Sequence, residues 1–501
     1  MAKKTGEKLE LLKEKFSKEA VDKRVRDNMP FTHYWHNRFH VEAPFGLISD
    51  PNGLAFCNGE HHIFCQWNPL TTDHKNKSWM HTKTPDFIHY SMQELSLWPT
   101  DIHDKDGCHS GCGFVEDGKL RVFYTCNSRD EDYIRTVAQR FGTLKEDGHV
   151  EKEEIVIHGN PEGYSAHFRD PNFFYRNGER YFAMAAQRLN KPGESSRPTN
   201  GTVLIYKEEN GKNCKLLGEV KTEYKDFGYM WECPNILQFD DYDVLIMCPQ
   251  GLEPEEFQYQ SHCQAGYLVG HFSIDSLEML HGKFQELDHG FDFYSPQVFR
   301  HEGRHILVGW IGMPDLVNEI ESAKEGWLYS LTMPRVLTLR QGRIYSAPVE
   351  ELKALRKEET EIELDTNKID FMKETLPKTS EVILDIKTGE AKKFEIALNY
   401  GEEKTVITYD KNTQVMIIDR NGMKLGGKGQ RKFKLYVNEE LSFRMFVDRT
   451  AIEIFLQHGE DVATFFVYPE KDVAPELTIK SDKEMAEIHG TIWELDSIKF
   501  S

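Results

Sequence analysis

Short runs of apolar residues, many alternating with polar ones, fill the chain, and over the first 345 residues pairs of turn-forming residues interrupt them at a regular interval. Asn58-Gly59 separates the runs at 53–56 and 62–67, and Asp117-Gly118 separates those at 113–115 and 120–124. Asn177-Gly178, Asp240-Asp241 and Glu302-Gly303 follow the runs at 172–175, 235–237 and 297–299. Such a pair between two strand patterns reads as a β-hairpin, because a two-residue turn of this kind needs positive φ. The turns at 59, 118, 178, 241 and 303 are 59, 60, 63 and 62 residues apart. A strand-rich unit repeated five times predicts a five-bladed β-propeller over residues 30–345, with room in each blade for long loops on one face.

Beyond 345 the period stops. Ala347-Pro348 and the stretch 349–356 predict a linker helix within 346–359. From 360 to 501, strand patterns at 381–384, 406–409, 415–418, 433–437 and 463–468 predict a β-sandwich that buttresses the propeller. Asp448 and Glu453 read there as turn and surface acids. Residues 1–29 read as a helical extension: Leu9, Leu12, Phe16, Ala20 and Val21 punctuate a charged stretch that would pack outside the first blade and end at Met29-Pro30. The expected class is therefore all-β, a five-bladed propeller followed by a C-terminal sandwich, with a short N-terminal helical segment.

The period also assigns phase. Eight or nine residues before the five turns stand Asp50, Ser110, Asp170, Glu232 and Tyr294. In a propeller these equivalent points lie where the inner strands enter the central channel, so three carboxylates, a hydroxyl and a phenol should converge there. Solvated surface acids have no reason to keep phase with a fold repeat. Around Asp50 the sequence reads Ile48-Ser49-Asp50-Pro51-Asn52-Gly53; the proline favours an extended Asp50, and Asn-Gly reads as a turn before a strand from Leu54.

A net charge of −20 over 501 residues, with 39% hydrophobic residues, describes a soluble acidic protein and argues against nucleic acid, whose phosphates need a basic surface. No stretch reads as a membrane span. An anionic sugar stays admissible, since a few local cations decide that. The nine cysteines are odd in number and sit mostly in strand patterns, and Met1-Ala-Lys-Lys-Thr-Gly has no apolar core behind its basic residues; both point to reduced thiols in a cytoplasm. His301-Glu302-Gly303-Arg304-His305 matches H-E-x-x-H, but strand residues flank its glycine, so it reads as a hairpin tip and not as a zinc helix. Cys108-His109-Ser110-Gly111-Cys112 lacks zinc spacing. No metal or organic cofactor is expected.

Asp50 and its neighbours also carry a resemblance. In order, Ser49-Asp50-Pro51-Asn52-Gly53, Gln66-Trp67-Asn68-Pro69, Phe168-Arg169-Asp170-Pro171, Trp231-Glu232-Cys233-Pro234, Asp292-Phe293-Tyr294-Ser295-Pro296-Gln297 and Leu331-Thr332-Met333-Pro334-Arg335 resemble glycoside hydrolase family 32. These are the β-fructofuranosidases: invertases, sucrose-6-phosphate hydrolases and fructanases. Val447-Asp448-Arg449-Thr450-Ala451-Ile452-Glu453-Ile454-Phe455 resembles the family's sandwich signature, so the likeness spans about residues 30 to 500. Ser49 and Met80 stand where the family usually has Asn and Gly.

The resemblance implies Asp50 as nucleophile, Glu232 as acid and then base, and Asp170 holding fructose hydroxyls as an oxocarbenium ion develops. It implies retention of configuration, with Asp50 and Glu232 about 5 to 5.5 Å apart. Met230, Trp231, Cys233 and the other two carboxylates should raise the pKa of Glu232, and Arg169 should keep Asp170 ionised and oriented. A sugar offers hydroxyl edges and C–H faces, so Asn52, Gln66, Asn68, Ser110 and Tyr294 are candidate polar contacts, and Trp67 and Trp79 candidate aromatic plates. His109, and further out Asn127 and Arg129, are candidates for the sugar beyond fructose. The expected partner is a small saccharide, sucrose 6-phosphate ahead of sucrose or short fructans, with fructosyl transfer as an alternative reaction. A monomer or homodimer is expected.

Overall fold

The computed structural model describes residues 16–190, 200–209, 213–315, 320–365, 371–485 and 487–501. All five hairpin turns form. Asn58, Asp117, Asn177, Asp240 and Glu302 take φ between 42° and 53°, and the glycines that follow four of them lie between 72° and 82°. The turns join an inner strand to its neighbour: Gly46–Cys57 to Glu60–Asn68, Cys108–Glu116 to Lys119–Arg129, Tyr164–Arg176 to Glu179–Arg188, Met230–Phe239 to Tyr242–Gln250, and Tyr294–His301 to Arg304–Ile311. Each pair founds a sheet whose strands are antiparallel, except that Trp327–Leu328 lies parallel beside Gly46–Cys57 in the first, and these sheets are blades I to V.

The inner strands touch in cyclic order, I on II, II on III, III on IV, IV on V and V back on I, which closes the propeller. The approach is backbone to backbone in places. A Cβ on Gly113 of blade II would lie 2.3 Å from the Gly53 carbonyl oxygen of blade I, so any side chain there would force the two blades apart. Farther out, Phe123, Phe141, Phe173 and Phe182 fill the seam between blades II and III in stacked and edge-to-face pairs. Burying one such ring fully contributes about 1.5–3 kcal/mol.

The N-terminal helix Lys18–Asn28 starts at Ser17, whose hydroxyl accepts the Ala20 N–H. It buries Val21 and Val25, and Asp22 accepts the Leu95 N–H of blade I at 2.8 Å. The expected helical stretch 7–15 lies outside the described residues. At the other end of the propeller, the last strand of blade V runs through Pro348, because Ala347 and Pro348 still pair with Val336 and Arg335. The linker is only a 3-10 turn, Glu350–Leu355, shorter than the stretch expected to be helical.

The C-terminal part packs two six-stranded sheets around a core that includes Leu384, Ile396, Ile407, Ile418, Met445 and Ile454. Asp448 and Glu453, expected at turns and surface, are instead 1% and 0% exposed. Strand Ala451–Leu456 is covered on both faces: Ile452 and Ile454 enter the sandwich core, while Ala451 and Phe455 join the propeller-side core. Glu453 shares that propeller side. There it takes the Arg335 guanidinium at 2.8 and 2.5 Å and the Met333 N–H at 2.7 Å. His40 bridges Asp448 at 2.8 Å and Glu453 at 2.9 Å. The segments 331–335 and 447–455 are thus two halves of one joint between the domains.

Candidate active site

The inner strands all slip register near their starts: between Ile48 and Pro51, Cys108 and Gly111, Arg169 and Asn172, Glu232 and Asn235, and Tyr294 and Gln297. Each slip is a β-bulge, which breaks strand alternation and re-aims the side chains beside it. Three contain a proline, Pro171, Pro234 or Pro296, whose missing N–H suits an unpaired position, and Pro51 borders the first slip opposite Cys65. Asp170, Cys233 and Ser295 take φ of 62°, 49° and 48° to make the bend. Asp50-Pro51-Asn52-Gly53 is accordingly no turn opening a strand. It lies within the continuous strand Gly46–Cys57, which bulges twice.

These bulges bring the phased residues into hydrogen-bonding groups at one mouth of the channel, which we call the pit. Asp50 Oδ2 accepts the Ser110 hydroxyl at 2.5 Å and the Gln66 amide at 3.2 Å. Gln66 also reaches Ser110, and its carbonyl takes Lys77 Nζ. Glu232 Oε1 accepts both Nε and Nη2 of Arg169, at 2.9 and 2.6 Å, and Oε2 accepts the Tyr294 hydroxyl at 2.6 Å and the Gln250 amide at 2.7 Å. Asp170 Oδ2 accepts the Cys233 N–H at 3.2 Å, while its own N–H donates to Thr125 Oγ1 at 3.2 Å. Asp50 Oδ1 and Asp170 Oδ1 accept no hydrogen bond among the described residues.

The electrostatics differ from the expectation. Burial, then repulsion from Glu232 and more weakly from Asp50, raises Asp170 well above the usual carboxylate range despite the attraction of Arg169. Burial would raise Glu232 too, but the Arg169 charge and the Tyr294 hydroxyl outweigh it and hold Glu232 low. Of the two, Asp170 is therefore the carboxyl pushed toward its protonated form. Arg169 gives its hydrogen bonds to Glu232 on the next blade and acts on its sequence neighbour Asp170 through charge alone.

Several expected sugar contacts do other work. Trp67 and Trp79 are both 0% exposed, and their indole N–H groups donate to the carbonyls of Phe45 and His109. They are core residues; for Trp67 the reason is alternation, since Gln66 faces the pit and the next residue in the strand faces away. Asn68 fastens the loop after it, donating to Thr71 and Asp73 and accepting the N–H groups of Leu70 and Thr71. Asn52 joins two blades by accepting the Gly111 N–H at 3.1 Å. His109 is half-buried, and burial with the charges of Lys77, Arg135, Arg169 and Arg129 keeps its imidazole neutral.

Sequence reasoning missed Gln250, Thr125, Lys77 and Arg135. Gln250 had a signal, since it ends the second strand of blade IV much as Gln66 nearly ends that of blade I. Thr125 had none, because its role depends on packing between blades. Among the described residues, no group of three or more His, Cys, Asp or Glu is placed to hold a metal ion, and no helix is long and apolar enough to cross a membrane.

Comparison with known proteins agrees with this architecture. Residues 40–348 match the glycosyl hydrolases family 32 N-terminal domain, and 351–494 match the family 32 C-terminal domain. The chain belongs to glycosyl hydrolase family 32 and is a glycoside hydrolase. It is 35% identical over 448 residues to a sucrose-6-phosphate hydrolase of Staphylococcus xylosus, covering 87% of this chain and 88% of that one. A raffinose invertase of Escherichia coli is 29% identical over 467 residues, covering 92% and 95%. The solved structure of sucrose-6-phosphate hydrolase from Lactobacillus gasseri superposes with a TM-score of 0.85 at 29% identity, over 96% of this chain and 97% of that one.

Proposed function

We propose that the pit hydrolyses the β-fructofuranosidic bond of sucrose 6-phosphate with retention of configuration, releasing fructose and glucose 6-phosphate. The observation that carries the reading is the contrast among the three acids: Glu232 is fully engaged, while Asp50 and Asp170 each keep one oxygen open. Asp50 attacks the anomeric carbon through Oδ1, with Ser110 and Gln66 fixing the other oxygen. Asp170 takes fructose hydroxyls on its open oxygen, an interaction that strengthens as positive charge builds on the ring.

Glu232 protonates the leaving oxygen and then draws a proton from the attacking water. It and Asp170 are close enough to titrate as a pair, so one proton is shared between them. Sugar hydroxyls donating to Asp170 favour its ionised form, and the new negative charge raises Glu232, which moves the proton to where the leaving group needs it. The phosphorylated substrate is favoured by the S. xylosus and L. gasseri relatives. Nine unpaired cysteines support a reducing, cytoplasmic setting.

Proton NMR of a fresh reaction with sucrose 6-phosphate tests the reading. The first fructose released should carry the β configuration of the substrate, with glucose 6-phosphate as co-product. Initial α-fructose would replace the two-step route by direct attack of water, and growing fructosides would make the protein a transferase.

A further inference from the structure

The second and third strands of blade II are joined at the pit mouth by residues 130–134, and there Arg129 and Arg135 stand directly opposite each other. Like charges so opposed on one sheet face repel. Among the described residues neither guanidinium is in a salt bridge: Arg129 Nη1 donates to the Tyr133 carbonyl at 3.0 Å, while the Asp106 carboxylate accepts the Arg129 backbone N–H at 2.6 Å, and the Arg135 side chain makes no hydrogen bond or ion pair.

The pair sits above the reacting groups. Thr125, Asn127 and Arg129 share one side of their strand by alternation, and Thr125 accepts the N–H of Asp170. That column climbs from the carboxylates to the rim over four residues, about 14 Å of strand. Asn127 is 4% exposed, and its Oδ1 has no partner. The next wall adds Lys77 and His109: the Cβ position of Gly107 is 3.1 Å from Lys77 Cβ and 3.3 Å from the His109 ring. Asp106 and Gly107 are in turn bonded to Asn127 through the backbone, at 3.1 and 3.0 Å. In a chain with a net charge of −20, one wall of the pit thus carries Lys77, Arg129, Arg135 and Arg169, and among the described residues only the Arg169 side chain of these four forms a salt bridge. Burial and the charges of Arg169 and Arg129 push Arg135 down to about 10, the mark of a cation short of counter-charge.

We propose that Arg129 and Arg135, with Lys77 and His109 beside them, form an anion subsite that takes the phosphate ester of the leaving sugar and sets the preference for phosphorylated substrate. The inference rests on the hydrolase reading above and names the side chains that select its substrate. Two facing guanidinium forks suit a phosphate, which accepts paired hydrogen bonds and supplies the missing charge. A neutral imidazole adds one N–H donor.

The test measures kcat/KM for sucrose 6-phosphate and for sucrose at fixed ionic strength, in wild type, Arg129→Gln, Arg135→Gln and Arg135→Lys. The ratio of the two constants should fall at least about tenfold in each Gln variant, with Arg135→Lys between them and wild type. A wild type that prefers the phosphate, with the ratio unmoved in both Gln variants, would place the phosphate elsewhere and overturn the subsite alone. Equal wild-type constants would remove the phosphate preference and the subsite with it, while turnover of neither sugar would remove the hydrolase reading as well. Inhibition of wild type gives a readout free of folding effects. Glucose 6-phosphate should compete at least about tenfold more strongly than glucose, and equal competition would count against the subsite.

Discussion

The pit and the joint between the domains are built from the same side chains and use them in opposite ways. At the joint, Asp448, Glu453 and Asp288 are saturated. Asp448 takes the N–H groups of Arg38, Phe39 and Arg449 as well as His40, and Asp288 takes Arg335, Gly290 and Thr464. In the pit, Asp50 and Asp170 each leave an oxygen unfilled, and burial beside a like charge lifts Asp170. A carboxylate with every lone pair engaged is an anchor. One with an open oxygen and a strained charge has something to offer a substrate, and the protein bears the cost in stability.

The largest expected effect breaks the pit and spares the joint. Asp50→Asn keeps the shape and removes the attacking charge, so turnover of sucrose 6-phosphate should fall by at least about 10⁴-fold. The melting temperature should stay near wild type, because Asp50 Oδ1 engages no group among the described residues. A variant with near-normal turnover would take Asp50 out of the nucleophile role.

Arg335→Met does the reverse. It strips the buried Glu453 and Asp288 of their shared cation, and breaking a buried pair from one side costs about 3–5 kcal/mol. Denaturant unfolding should register that loss, while the fraction still folded keeps its kcat. If kcat fell in step with stability, joint and pit would be one unit and the contrast would fail.

His40 gives the joint a pH signature. Against the burial that would lower it, Asp448 and Glu453 raise it to about 9, above its ordinary 6.5. The stability it contributes is fully present below pH 6.5 and is lost as pH rises through 9, on the order of 3 kcal/mol. His289, raised to about 10 by Asp461 and Glu286, adds a similar loss slightly higher. Melting curves from pH 6 to 10 should therefore fall, and His40→Gln should flatten the lower part of that fall. An unchanged slope would mean that His40 is not the cation at the joint.

How much of this was legible in the sequence follows from which forces are local. The five hairpin turns were readable because positive φ restricts the residue types at two adjacent positions. The convergence of Asp50, Ser110, Asp170, Glu232 and Tyr294 was readable because a repeat carries phase. The direction of a side chain between blades was not: nothing near Arg169 says that it crosses to Glu232, and so the partition of charge among the acids came out inverted. Asp448 and Glu453 misled for a related reason. Acids alternating with apolar residues look like a half-solvated strand, and only the presence of a second domain, carrying Arg335 and His40, turns the polar face inward.

The smallest effect is also the sharpest, because it predicts opposite signs for one substitution. Asp170 is raised in the folded state above its ordinary 3.8, so its ionisation opposes folding; that cost is absent at low pH, grows as pH rises past 4 and is complete above the raised value. Asp170→Asn removes the charge, leaves an oxygen for the Cys233 N–H, and should stabilise the protein by about 1–2 kcal/mol at pH 8, with little gain at pH 4, while abolishing most turnover. Asp448→Asn at the same pH deprives His40 of a counter-charge and puts an amide where four donors converge, so it should destabilise. Paired unfolding curves at pH 8 decide the matter. Two losses would mean that the Asp170 carboxylate is as well satisfied as that of Asp448, and the open oxygen would no longer distinguish a reagent from an anchor.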